Sequence, residues 1–168
     1  MKTNEINVRI AEEKDIEQFL DLIMRMKRLN GEFDSMFTAN EGNREAIKSY
    51  YSHCISDKKN FITLVAESNH KIYGLIKAEI RERISYLPSQ EARIIDLYIM
   101  PEIRRKKVGN LLLEKLYSEM EKRNVSVVTA EFPAKNLIAL NFYDKIGYRE
   151  IGKVFGKSIV EEPGDERD

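Results

Sequence analysis

Along this chain the hydrophobic positions change their spacing, and each change marks an element. Ile6, Val8 and Ile10 alternate with polar residues, the period of a half-buried strand. From Asp15 the step lengthens. Ile16, Phe19, Leu20, Ile23 and Met26 recur every three or four residues, so a helix follows, with Asn30-Gly31 as its stop signal. Residues 32–42 keep no period and read as a loop. Ala46, Ile47, Tyr50, Tyr51, Cys54 and Ile55 then share one face of a second helix. Three strand-like runs come next, over 61–67, 72–80 and 92–100. Asn69-His70 makes the first turn between them, a longer turn holds Pro88, and Gly74 lies inside the middle run. In the second half a helix over 108–123 precedes a nearly continuous apolar strand over 125–132, the pattern of a strand covered on both faces. A helix over 136–146 is closed by Gly147, and a final strand is expected over 148–157.

The order β-α-α-β-β-β-α-β-α-β predicts an α/β domain over residues 1–160, with a mixed central sheet flanked by helices. Its first half should be antiparallel, and the unit near 92–132 should pair in parallel through a right-handed crossover. Residues 161–168, charged and containing Pro163-Gly164, form a loose tail.

Composition narrows the function classes. The 28 Lys and Arg balance the 28 Asp and Glu, which argues against a chain that binds nucleic acid or membrane with its whole surface. A lone cysteine, Cys54, excludes an intramolecular disulfide. No apolar run approaches the roughly 18 residues of a membrane span, so a cytoplasmic protein is expected. His53, His70 and Cys54 lack the spacing of metal ligands, and no metal is expected.

The most informative stretch is Ile99-Met-Pro-Glu-Ile-Arg-Arg-Lys-Lys-Val-Gly-Asn-Leu-Leu-Leu113, which passes from strand to helix through a basic turn. A helix N-terminus offers unpaired N–H groups and partial positive charge, so it is a ready anion site. Arg104, Arg105, Lys106 and Lys107 gather at that place, and Gly109 has no Cβ to keep a bulky anion away. A solvated face or a nucleic-acid patch would give the same four cations, although no recognised nucleic-acid module accompanies them.

Pro101 to Gly109 resembles the coenzyme-A-binding motif of the GNAT (Gcn5-related) N-acetyltransferases. Arg104 and Gly109 match the pattern, and Lys107 stands where a first glycine is usual. Asn136-Leu-Ile-Ala139-Leu-Asn-Phe-Tyr143-Asp-Lys-Ile-Gly147-Tyr148 is similar to that family's later segment. The resemblance implies transfer of an acetyl group from acetyl-CoA to a primary amine by direct attack in a ternary complex. The acceptor could be a polyamine, another small amine, or a protein lysine or N-terminus. It implies that Tyr98, Ile99, Met100, Arg104, Arg105, Lys106, Lys107, Val108, Gly109, Asn110, Asn136 and Tyr143 hold the co-substrate. Tyr143 would protonate the departing thiolate, and Asp96, on the third of the three runs with Ile94, Tyr98 and Met100 on its face, would accept the amine's proton. Acceptor choice would fall to residues 27–45 and 81–91, and Glu32, Asp34, Glu41, Glu79 and Glu82, in or near them, suit a cationic amine. The exposed final strand is expected to pair in a homodimer. The alternative is a coenzyme-A-binding sensor or interaction module without turnover.

Overall fold

The computed structural model describes residues 6–160, and the tail expected at 161–168 lies outside them. The elements are β1 (Asn7–Ile10), α1 (Ile16–Phe33), α2 (Arg44–Ser56), β2 (Phe61–Ser68), β3 (Lys71–Glu82), β4 (Gln90–Ile99), α3 (Val108–Glu121), β5 (Val128–Ala130) and α4 (Leu137–Lys145). Five strands form one mixed sheet in chain order, antiparallel from β1 to β4 and parallel between β4 and β5. This is the α/β arrangement the periods call for. The β2–β3 hairpin turns on Asn69 and His70, both with positive φ, which matches the right-handed twist of its strands.

The apolar stripe of α1 (Phe19, Leu20 and Ile23) is wholly enclosed, and Phe19 meets Tyr51 of α2 with ring centroids 5.8 Å apart. Val108, Leu112 and Leu116 of α3 are wholly enclosed against the opposite face of the sheet. Each such side chain contributes about 1.5–3 kcal/mol through burial. Gly74 explains itself here, because a Cβ would lie 3.2 Å from the Tyr98 carbonyl and 3.5 Å from Leu112. A glycine lets β4 and α3 close on β3 at that point.

Four expectations are corrected. Helix α1 runs through Asn30-Gly31 to Phe33, ending where the Asp34 N–H donates to the Asn30 carbonyl. Strand β5 is confined to three residues, because its chain leaves the sheet toward the buried Pro133. The final strand does not form, since residues 149–160 are exposed and hold no regular structure. A three-residue β5 offers too short an edge, and Gly152 and Gly156 contribute no side chain to pack.

The fourth correction concerns β4. Ala78 pairs with Ile94 and Lys77 with Asp96, so Ile95 is an extra residue, a bulge. Paired residues share a face, and Lys77 and Ala78 are consecutive. The bulge therefore turns Ile94 and Asp96 to opposite faces. Asp96 keeps Tyr98 beside it but points to α1 and α2, whereas Ile94 points to α3.

Candidate active site

The site begins where β4 and β5 part. Their ladder ends at the Ile94–Ala130 pair, after which the Glu131 N–H donates to the Ile94 carbonyl at 2.9 Å. Beyond that bond, residues 96–99 of β4 have no β5 partner among the described residues. The Met100 N–H donates to Tyr73 of β3, so the Ile99 peptide groups, one position earlier, face the gap. Its carbonyl accepts from Arg104 Nε at 3.1 Å.

From Met100 the chain enters a 3-10 turn, Pro101–Lys106, and Lys107 caps α3 with φ +58°. A lysine thus adopts the left-handed conformation that a glycine would take freely, at a cost of roughly 1–2 kcal/mol. The first amides of α3 follow it, and nothing in the helix satisfies them. Arg104 lies exposed with its guanidinium 6.0 Å from the Tyr98 ring, and Arg105 and Lys106 belong to the same turn. Asn110 is exposed on the first turn of α3, while Val108 and Gly109 are buried. For Gly109 the reason differs from the expected approach of an anion. A Cβ there would come within 3.0 Å of Phe142 and 3.1 Å of Ile99, so its absence seats α3 on β4 and α4.

Across the gap stands α4. Asn136 is its N-cap, and Oδ1 accepts from the Ala139 N–H at 3.1 Å, leaving the side-chain NH₂ available. Tyr143 is buried about two turns further on. Its ring stacks on Phe132 at 5.3 Å and 8°, and leans on Tyr148 at 5.0 Å. The Tyr148 and Tyr117 hydroxyls share a hydrogen bond of 2.9 Å. The Tyr143 hydroxyl has no hydrogen-bond partner among the described residues, and burial, then the nearby Tyr117, pushes its pKa up.

Asp96 is fully enclosed. Its Oδ1 accepts from Lys27 Nζ of α1 at 2.6 Å, and its Oδ2 accepts from the Tyr51 hydroxyl of α2 at 3.0 Å. Lys77, also buried, lies 3.7 Å from Oδ2 and donates to the Tyr50 hydroxyl at 2.6 Å. Burial works against the Lys77 ammonium, but Asp96 and Tyr50 outweigh it and hold its pKa above the ordinary lysine value. A carboxylate with both oxygens engaged and no exposed surface does not reach a ligand directly. Lys27, Tyr51, Tyr50 and Glu131 were not singled out by sequence, since on a helix or at a strand end they look like solvated or core residues. Glu131 is the reachable carboxylate at the gap, half exposed and 3.4 Å from Arg93.

Lys27, Tyr50, Tyr51, Glu131 and Tyr143 border one cleft of about 2230 Å³, which runs from α1 and α2 past β5 to residues 151–156, whereas the turn at 101–110, Ile99 and Asn136 lie off its lining. The acidic residues expected to choose an acceptor are largely engaged elsewhere. Glu41 accepts from Arg28, Glu79 lies 3.5 Å from both Lys77 and Arg81, Glu82 accepts from Gln90, and Asp34 accepts from the Met36 N–H. Glu32 is exposed at the end of α1. Cys54 is buried, which pushes its thiol pKa up, and His53 and His70 are exposed, one on α2 and the other in the β2–β3 turn. No group of three His, Cys, Asp or Glu side chains gathers among the described residues, and no described helix is long and apolar enough to cross a membrane.

A gap between two parallel strands, a basic helix N-terminus beside it and a free phenol across it define a class of acyl-transfer fold. The chain belongs to the acetyltransferase (GNAT) family, whose model matches residues 22–148. Over 67 residues it is 33% identical to the ribosomal protein bS18-alanine N-acetyltransferase of Escherichia coli, a stretch that covers 40% of this chain and 45% of that protein. The match therefore spans less than half the length of that relative. Among solved structures, a protein from Clostridium acetobutylicum described as a predicted acetyltransferase, in complex with acetyl-CoA, superposes with a TM-score of 0.76 at 18% identity. The superposition covers 95% of this chain and 99% of that one. AAC(6')-Iy in complex with a bisubstrate analogue built on CoA gives 0.72 at 13% identity, covering 91% and 97%. At these identities the likeness is one of fold.

Proposed function

We propose that this chain transfers an acetyl group from acetyl-CoA to an amine by direct attack. The observation that carries the reading is the parting of β4 and β5 beside the N-terminus of α3, where Phe142 of α4, next to Tyr143, packs on Gly109 and Ile99. The amides that open α3, with Arg104, Arg105, Lys106 and Lys107 around them, bind the pyrophosphate, as dipole and charge both favour. The free edge of β4 at Ile99, flanked by Tyr98 and Met100, and the amide of Asn136 hold the pantetheine arm. The Ile99 N–H polarises the thioester carbonyl and stabilises its developing negative charge.

An amine nitrogen then forms a bond to the carbonyl carbon as the carbon–sulfur bond breaks. The amine's proton passes to Glu131, the accessible carboxylate, and the Tyr143 hydroxyl gives a proton to the leaving sulfur. Asp96, enclosed as it is, serves by holding Lys27 and Tyr51 at the floor of the cleft rather than by touching the amine. The amine class of the relatives, a ribosomal protein alanine in one case, supports an amine acceptor here without choosing one.

Calorimetric titration tests the reading directly. Acetyl-CoA and coenzyme A should bind with micromolar affinity, about −8 kcal/mol, and ATP should not. Absence of heat with acetyl-CoA would overturn the site. Once turnover is established, Glu131→Gln should lower kcat/KM at least ~10-fold at a fixed pH while acetyl-CoA still binds. Unchanged turnover takes Glu131 out of the proton path.

A further inference from the structure

We infer that Lys27 binds a carboxylate of the acceptor, so that the preferred substrate is an amine that also carries a carboxylate. This deepens the acetyl-transfer reading and rests on it. Lys27 is the group that stands between the sealed Asp96 and the open cleft. Its Nζ is anchored on Asp96 at 2.6 Å, yet a third of the side chain is exposed, and it lines the cleft. An ammonium has three donors and Asp96 takes one, so two remain to face a ligand. The anchoring carboxylate also fixes the stem, and a cation held in place recognises an anion at little further entropic cost.

Charge around it agrees. Lys27 and Lys77 approach the single carboxylate of Asp96. Glu79 lies 3.5 Å from Lys77, but it also lies 3.5 Å from Arg81. Three cations thus meet two anions, and the surplus positive charge opens on the cleft at Lys27. The cleft as a whole is lined by five acidic and five basic side chains among the described residues, so it has no net field to concentrate a polycation. An acceptor with several ammonium groups would set one of them against Lys27. An acceptor with one amine and one carboxylate meets a complementary group at each end.

The test follows thiol release from acetyl-CoA with ω-amino acids from glycine to 6-aminohexanoate, beside alkylamines and diamines of the same lengths. At least one amino acid should exceed its carboxylate-free counterpart in kcat/KM by about tenfold or more, the value of a hydrogen bond to a charged group. In Lys27→Met that advantage should vanish through a raised KM, and Lys27→Arg should keep it. Should Lys27→Met fail to fold, the length series on the native protein and Lys27→Arg still decide. Alkylamines or diamines that match the amino acids would overturn the proposal. So would a Lys27→Met protein that loses rate equally with both series, or a protein that binds acetyl-CoA but acetylates no member of the panel. Failure to bind acetyl-CoA at all would instead overturn the acetyl-transfer reading beneath it.

Discussion

Tyr143→Phe should lower kcat at least ~10-fold, the usual worth of a positioned acid, while acetyl-CoA binding persists. The substitution removes one oxygen and leaves the ring, which stacks on Phe132 and leans on Tyr148. The α4 packing therefore survives, and the loss falls on the chemical step. Among the described residues no neighbour competes for the hydroxyl, so it is free for a thiol. Burial raises its pKa above the ordinary tyrosine value of about 10, so the phenol keeps its proton through the neutral range. The sign matters for pH dependence: a raised pKa moves phenol ionisation further alkaline, and kcat should show no decline from Tyr143 below about pH 10. Steady-state kinetics from pH 6 to about pH 10, with calorimetry for the cofactor, checks both parts. Unchanged turnover in the Phe variant would remove Tyr143 from the mechanism.

The second large effect concerns stability. Asp96→Ala should destabilise the fold by about 3–5 kcal/mol, because it removes the fully enclosed carboxylate beside the buried Lys77 and leaves that ammonium only the partly exposed Glu79 at 3.5 Å. Lys77 is almost wholly buried, and Asp96 is the carboxylate opposite it across the β3–β4 ladder. The Tyr51 hydroxyl loses its acceptor at the same time. Lys27 suffers less, since its exposed third can turn to water. Urea unfolding of the variant beside Tyr51→Phe separates these contributions. Tyr51→Phe removes a donor to that carboxylate but no charge, and should cost less, about 1.5–3 kcal/mol. Similar losses in both variants would mean that charge burial is not what makes Asp96 important.

The elements were legible because their periods are long and clean. Ile16, Phe19, Leu20 and Ile23 could form little else than the inner stripe of a helix, and Val108, Leu112 and Leu116 likewise. The basic strand-to-helix turn was legible from four cations and a glycine, although Gly109 turned out to serve packing. Two kinds of information were not legible. The first is local geometry without a sequence mark. Arg93-Ile-Ile-Asp96 gives no sign that one isoleucine is surplus, and a residue lost from the count inverts every assignment of faces beyond it. Residues 149–160 have the apolar content of a strand, but an edge of sufficient length for them to join is a property of the sheet. The second is company across the fold. Lys27 lies 69 positions from Asp96, and on its helix it looks like any solvated cation. Only the packing of α1 on the bulged part of β4 makes it the floor of a cleft.

The surplus residue in β4 also bears on how this gene can vary. Loss of one residue from a central strand is ordinarily among the worst changes a sheet can suffer, since everything after it is presented to the wrong layer. Ile95 is the exception. Without it, Ile94 and Asp96 would follow one another opposite Ala78 and Lys77 in a regular ladder, and every other side chain would keep its layer. What would go is the local bend that a bulge imposes, and with it the departure of β4 from β5. Codons 94 and 95 both read isoleucine, so loss of either gives that same chain, and at this pair a deletion is a question about catalysis rather than about folding.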